Sequence, residues 1–158
     1  MTKSQHAGVL RVADALAAAG ATGEVVELAA EVRTAALAAA ALGVEVGAIA
    51  NSLVFDADGE PLLVLTSGAH RVDTAKVAAL VGVRELRRAT PDFVRSATGQ
   101  AIGGVAPVGH PGRVPTYVDT ALEQYPVIWA AAGIPHSVFP TTYGELLKLT
   151  DGTPITVN

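Results

Sequence analysis

The sequence predicts an α+β fold in one domain, with helices packed on a mixed β-sheet. Three observations carry that reading. Half of the 158 residues are hydrophobic and 16% are charged, with a mean hydropathy of +0.39 over 16.0 kDa. A chain of this length suits a single domain and buries roughly 68–70% of its unfolded surface, whereas disorder needs low hydrophobicity and high charge. Helical apolar spacing and hairpin-like apolar runs also follow one another along the whole chain. Finally, no stretch is long enough for a linker and no internal repeat is present.

Each element has a local reason. Val9, Val12, Ala13, Leu16 and Ala17 recur at helical spacing within residues 4–19, and Gly20 ends the run. Val25–Leu28 reads as a short strand. Thr34 is an N-cap for a helix over Ala35–Leu42, with Gly43 past its end. Ile49–Phe55 and Leu62–Leu65 flank the turn-rich Asp56-Ala57-Asp58-Gly59 and predict a β-hairpin. Asp73 or Thr74 caps a helix over Ala75–Val81, stopped by Gly82. Thr90-Pro91 opens another that runs to Ala97. Thr98–Pro115 then holds five glycines and three prolines. After it come strand candidates at Val114–Val118, Val127–Ala132 and Ser137–Phe139. Thr142 and Glu145 have capping-box spacing for a last helix to Leu149, and Ile155–Val157 reads as a closing strand.

Composition also narrows the function. The longest uncharged stretch, Gln124–Gly144, contains Pro126, Pro135 and Pro140 and so predicts no membrane-spanning helix. Arg11 and Asp14 interrupt what would be the apolar core of a signal peptide, so the protein is expected to be cytoplasmic and away from membranes. Without cysteine there is no disulfide, thiolate zinc site or cysteine nucleophile. His6, His70, His110 and His136 lack metal-ligand spacing, so neither metal nor other cofactor is expected. A net charge of −4 argues against a general nucleic-acid coat but leaves room for gripping an RNA end.

The glycine-proline segment is the most informative. Gly103-Gly104-Val105-Ala106-Pro107-Val108-Gly109-His110 lacks the lysine-serine/threonine ending of a P-loop and the spacing of a dinucleotide fingerprint. It reads either as an ordinary surface loop or as a loop of bare amides that hold a carbonyl oxygen and its oxyanion. Asp119 reads either as the N-cap of Thr120–Gln124 or as a carboxylate orienting a water or a ribose hydroxyl. His110 is a base by chemistry and a solvated loop residue by frequency. Arg71 suits a phosphate or pairs with Asp73. Ser52 and Ser67 lie in no nucleophile elbow.

Taken together, Thr34-Ala35 with Ala38-Ala39 and Leu42-Gly43, the segment Ile49–Phe55, and Ser67-Gly68 before Arg71-Val72-Asp73 match a known pattern in order. So do Thr98-Gly99 with Gly103-Gly104-Val105-Ala106-Pro107-Val108-Gly109, Val118-Asp119, and Ala131-Ala132-Gly133. Residues from about 30 to 150 resemble the YbaK/ProX family, the aminoacyl-tRNA editing domains found freestanding and inserted in bacterial prolyl-tRNA synthetases. The resemblance implies an α+β fold around a mixed, mostly antiparallel, barrel-like sheet surrounded by helices. It implies hydrolysis of the ester on a mischarged tRNA, with the carbonyl held on the glycine loop and water attacking with help from the substrate's ribose hydroxyl. Binding alone sorts small apolar side chains poorly, which gives such a hydrolytic sieve its use.

The candidate catalytic groups are then Gly103, Gly104 and Asp119. The candidate substrate-binding residues are Thr34, Asn51, Ser52, Arg71, Pro107, Gly109, His110 and Gly133. The expected partner is the aminoacylated 3′ end of tRNA, with an aminoacyl-tRNA synthetase as a second candidate. Family members usually carry a lysine where Asn51 stands, and asparagine supplies no positive charge. A catalytically weakened aminoacyl- or nucleotide-binding module and a small-molecule esterase are the alternatives. The site is expected in a small apolar cleft between the Asn51 strand and the Gly103–Gly109 loop, with Asp119 in reach. In this reading Gly104→Ala harms hydrolysis more than folding.

Overall fold

The computed structural model describes residues 7–29, 32 and 34–158; His6 and the first residues of the N-terminal helix pattern lie outside them. Among the described residues, one sheet of eight strands carries five α-helices. The strands are β1 (Val26–Glu27), β2 (Ile49–Ala57), β3 (Glu60–Ser67), β4 (Leu86–Arg88), β5 (Thr116–Asp119), β6 (Ile128–Ala131), β7 (Ser137–Thr141) and β8 (Thr153–Ile155). The helices are α1 (Ala7–Ala18), α2 (Ala35–Leu42), α3 (Thr74–Val81), α4 (Pro91–Thr98) and α5 (Tyr143–Thr150).

The sheet runs β1-β7-β6-β2-β3-β5-β8, with β4 added to the free side of β2. The pairs β1–β7, β2–β3, β2–β4 and β6–β7 are antiparallel. The pairs β2–β6, β3–β5 and β5–β8 are parallel. No ladder joins β1 to β8, so the sheet is mixed and open rather than a closed barrel.

Two apolar layers follow from the two-residue period of the strands. On one face Ala50, Leu63, Leu65, Ala130 and Phe139 pack with Val9, Val12 and Leu16 of α1 and with Ala106 and Val108 of the glycine segment. On the other face α3 places Val77 and Ala78 over Phe55, Leu62 and Val64. Beside it α2 places Ala38 and Ala39 over Ile49 and Val138.

Caps end the helices where the sequence predicts. Thr34 Oγ1 accepts from Leu37 N at 3.1 Å, and Gly43 adopts φ 70°. Asp73, rather than Thr74, caps α3. Glu145 N donates to Thr142 Oγ1, but the Glu145 carboxylate accepts from the Thr141 hydroxyl at 2.7 Å instead of closing the box on Thr142.

Details differ from the sequence reading; the closing strand, for one, is Thr153–Ile155 rather than Ile155–Val157. The hairpin turn is only Asp58-Gly59, with φ of 53° and 94°. These are the signs a two-residue primed turn requires, and they let Asp56 and Ala57 stay in β2. Thr120–Gln124, capped by Asp119, is helical in the 3-10 form. β4 has no counterpart in the sequence reading: Leu86-Arg87-Arg88 is too short to show alternation, and only its partners on β2 make it a strand.

Candidate active site

The site grows from an interruption in the sheet. β3 pairs with β2 from Ala50 to Ala57. On the other edge of β2, β6 reaches only Ile49 and Ala50, and β4 only Phe55 to Ala57. Among the described residues, Asn51–Val54 therefore pairs on one side alone. Asn51 is exposed and Ser52, Leu53 and Val54 are half-buried, although the strand is central.

The glycine segment sits on this open edge. Val105 packs with Val54 of β2 and Val94 of α4. Gln100, 5% exposed, staples the segment: its Nε2 donates to Val108 O at 3.0 Å and its Oε1 accepts from Ala106 N at 2.7 Å. Thr98 Oγ1 accepts from Gln100 N at 3.1 Å and donates to Val94 O at 2.7 Å, tying the segment to the end of α4. Gly133 N donates to Gly104 O at 2.9 Å, which joins the segment to the turn after β6. Gly103 turns the chain at φ 93°, a conformation that glycine adopts without penalty. A Cβ on Gly104 would stand 2.6 Å from both Ile134 Cα and Pro135 N, so only glycine fits the contact. Pro107 is buried, and Gly109 turns at φ 82°. No described residue accepts from the N–H of Gly103, Gly104 or Val105. Three successive amides are thus unspent among the described residues.

Asp119 anchors the other half. It is 1% exposed. Its Oδ1 accepts from Ala121 N at 3.0 Å, which is the predicted cap. Its Oδ2 accepts from Ser67 N at 3.0 Å, lies 2.9 Å from His70 Nδ1 and 3.3 Å from Thr66 Oγ1. Thr66 is the cross-strand partner of Asn51. Directly opposed side chains share a face, so Asn51, Thr66, Asp119 and His70 form one cluster. The start of α2 lies by Gly68, where an added Cβ would stand 3.0 Å from Ala35 Cβ, and the Thr34 hydroxyl beside it is spent on the Leu37 amide. Arg71 is exposed and makes no ion pair with a described residue; the expected pairing with Asp73 is absent there.

The predicted residues thus divide. Asn51 and Asp119 lie on one sheet face through Thr66, whereas Thr34 caps α2 and Arg71 is exposed; Gly103, Gly104, Pro107, Gly109, His110 and Gly133 belong to the glycine segment and the turn after β6 that it joins. Ser52 belongs to the loop side by strand alternation, and its Oγ is buried without a hydrogen-bond partner among the described residues. By the alternation of β2, Asn51 faces the side of α2 and α3 while Ser52 and Val54 face the side of the glycine segment, and between the two sides the edge of β2 at residues 51–54 is left unpaired among the described residues. His110 is turned inward: its Nε2 lies 2.8 Å from Ala106 O, and burial pushes its pKa below the usual histidine value, against the raising effect of that carbonyl. His136 is paired with Glu27 at 2.9 Å.

Three clefts lie elsewhere. One of about 490 Å³ separates α1 from residues 21–25, and one of about 350 Å³ lies between α3 and β4. A third, of about 370 Å³ between Arg11 and His110, touches the predicted residues through Gly109 and His110. None of the three is the small apolar cleft expected between Asn51 and Gly104. Sequence reasoning missed Gln100, whose only signal is a lone amide after Gly99, and His70, whose partner is 49 residues away.

Residues 29–149 match the family model of an aminoacyl-tRNA editing domain. A crystal structure of a candidate trans-editing enzyme for prolyl-tRNA synthetase superposes with a TM-score of 0.93 at 46% identity, covering 98% of this chain and 99% of that one. The protein YwhH of Bacillus subtilis is 32% identical over 110 residues, 69% of each chain. The proline–tRNA ligase of Nitratidesulfovibrio vulgaris (strain DP4) is 38% identical over 82 residues, which is 52% of this chain but 14% of the ligase.

Proposed function

The chain belongs to the aminoacyl-tRNA editing domain family, and from that premise we propose that it is an aminoacyl-tRNA deacylase acting on mischarged tRNA in the cytoplasm, in support of prolyl-tRNA synthetase. The observation that carries this reading is the row of unspent amides at Gly103, Gly104 and Val105 beside the uncovered edge of β2. Water attacks the ester carbonyl, and the oxyanion that forms is held by those amides. The carbon–oxygen bond to the ribose then breaks, a proton passes to the ribose oxygen, and free amino acid and tRNA leave. Binding then falls to Thr34, Asn51, Ser52 and Arg71 around the edge. Pro107, Gly109, His110 and Gly133 hold the loop's shape.

A weakened, binding-only module is the second reading, favoured by the uncharged Asn51. A deacylation assay over a panel of mischarged tRNAs, with the natural protein and Asn51→Lys, separates the two. The deacylase reading expects turnover of at least one ester by the natural protein. It also expects tighter tRNA binding by Asn51→Lys, a gain that shrinks as salt rises. Binding without turnover by either protein establishes the second reading.

A further inference from the structure

The Asp119 carboxylate meets four donors and is 1% exposed. Nothing of it is left for a ligand to reach. What it presents instead is His70. The ring is 26% exposed and is held through Nδ1 at 2.9 Å. A carboxylate that already accepts from two backbone amides accepts from Nδ1–H as well, which selects the tautomer whose lone pair is on Nε2. No described residue bonds Nε2. A fixed, bare acceptor therefore stands beside Asn51 and Thr66.

An acceptor needs a donor. On an aminoacyl ester of a terminal adenosine, the donors near the reacting carbon are the α-ammonium and the free ribose hydroxyl. The neighbouring Arg71 is an exposed guanidinium with no ion pair among the described residues. It repels an ammonium and favours a ribose whose phosphate it can meet. We propose that His70 is a substrate-contacting residue whose Nε2 accepts a hydrogen bond from the free hydroxyl of the terminal ribose, with Asp119 as its positioning residue. The inference rests on the editing reading and refines it: the carboxylate orients the ribose through the imidazole, not by direct contact.

The test uses two acceptor-stem RNA hairpins that carry at the 3′ end, through a non-hydrolysable amide, the amino acid whose ester the natural protein hydrolyses fastest in the panel, one with the terminal 2′-hydroxyl and one 2′-deoxy. The informative variant is His70→Asn, whose amide keeps a donor to Asp119 but removes the far nitrogen. We expect it to weaken binding of the hydroxyl-bearing hairpin by about three- to tenfold, the worth of one neutral hydrogen bond. Binding of the deoxy hairpin should stay the same. Asp119→Asn should show the same selectivity if it folds, and His70→Ala serves as the second variant at the ring itself. Equal losses on both hairpins, or no loss on either, overturn the assignment of His70 and leave the editing reading standing. A natural protein that binds neither hairpin overturns the editing reading itself, and the His70 assignment with it.

Discussion

The β2–β3 hairpin and the Gly99–Pro115 segment are both turn-rich in sequence, yet they hold their shapes by opposite means. The hairpin is local. Eight consecutive residue pairs run from Ala57↔Glu60 to Ala50↔Ser67, and Asp56 Oδ1 accepts from Gly59 N at 2.7 Å across the turn. The glycine segment has no such ladder. It is held by Gln100 from within, by Gly133 from the turn after β6, and by Val54 from β2. The hairpin is set chiefly by its own ladder, whereas the segment has none and leaves three amides unspent among the described residues. A loop can offer donors to a ligand only if other parts of the molecule hold it in place.

The comparison breaks most readily at Gly104. Gly104→Ala puts a methyl group against the Ile134–Pro135 backbone, which cannot move aside as a flexible side chain would. Overpacking of this kind costs about 1–3 kcal/mol. The loop shifts, and deacylation falls on the order of 10²–10³ as an oxyanion donor is lost. Stability falls as well as turnover, with the larger loss expected in turnover. Urea unfolding beside a deacylation assay checks this, and a variant with unchanged stability would show that the contact is looser than the geometry implies.

Gln100→Ala sharpens the contrast. It strands Ala106 N–H and Val108 C=O, and a buried polar group left unpaired costs about 1–3 kcal/mol. Turnover should drop further than stability accounts for, because the amides lose their frame. Asp56→Ala, which removes a turn hydrogen bond worth about 0.5–1.5 kcal/mol, should leave turnover untouched. Equal effects of the two on turnover would erase the distinction between the regions.

The smallest effect is in pH. Burial lowers the His110 pKa in the folded protein, so below about pH 6.5 the unfolded chain takes up the proton more readily than the folded one. Stability should decline as pH falls from that value toward the lowered folded pKa, and level off below it. Thermal unfolding across this range, compared with His110→Gln, isolates the contribution; an identical slope in the variant assigns the decline to other groups.

The same division explains what the sequence reveals. Thr34 and Gly43 bracket α2 because caps act within a turn of the chain. The Asp119 cap is legible for the same reason, since Ala121 is two residues on. That the same carboxylate also holds Ser67 and His70 is not legible, because those partners are fixed by the β3–β5 pairing. Gly104 is recognisable as glycine in a signature, but its tight seat on Ile134 depends on where β6 ends. The fold class rests on local periodicity and is read correctly. The site, apart from its signature, rests on register between distant strands.

Asp119 also bears on how the molecule comes into being. Its bond to Ser67 spans 52 residues, and the parallel pairing of β3 with β5 must form before that bond can. Loops of this span close late, since their entropy must be met before the contact stabilises anything. The hairpin is closed by two residues, but the carboxylate that Ser67 and His70 hold reaches them only through the β3–β5 pairing, so competence for chemistry depends on the most distant contacts of the sheet as well as on the nearest.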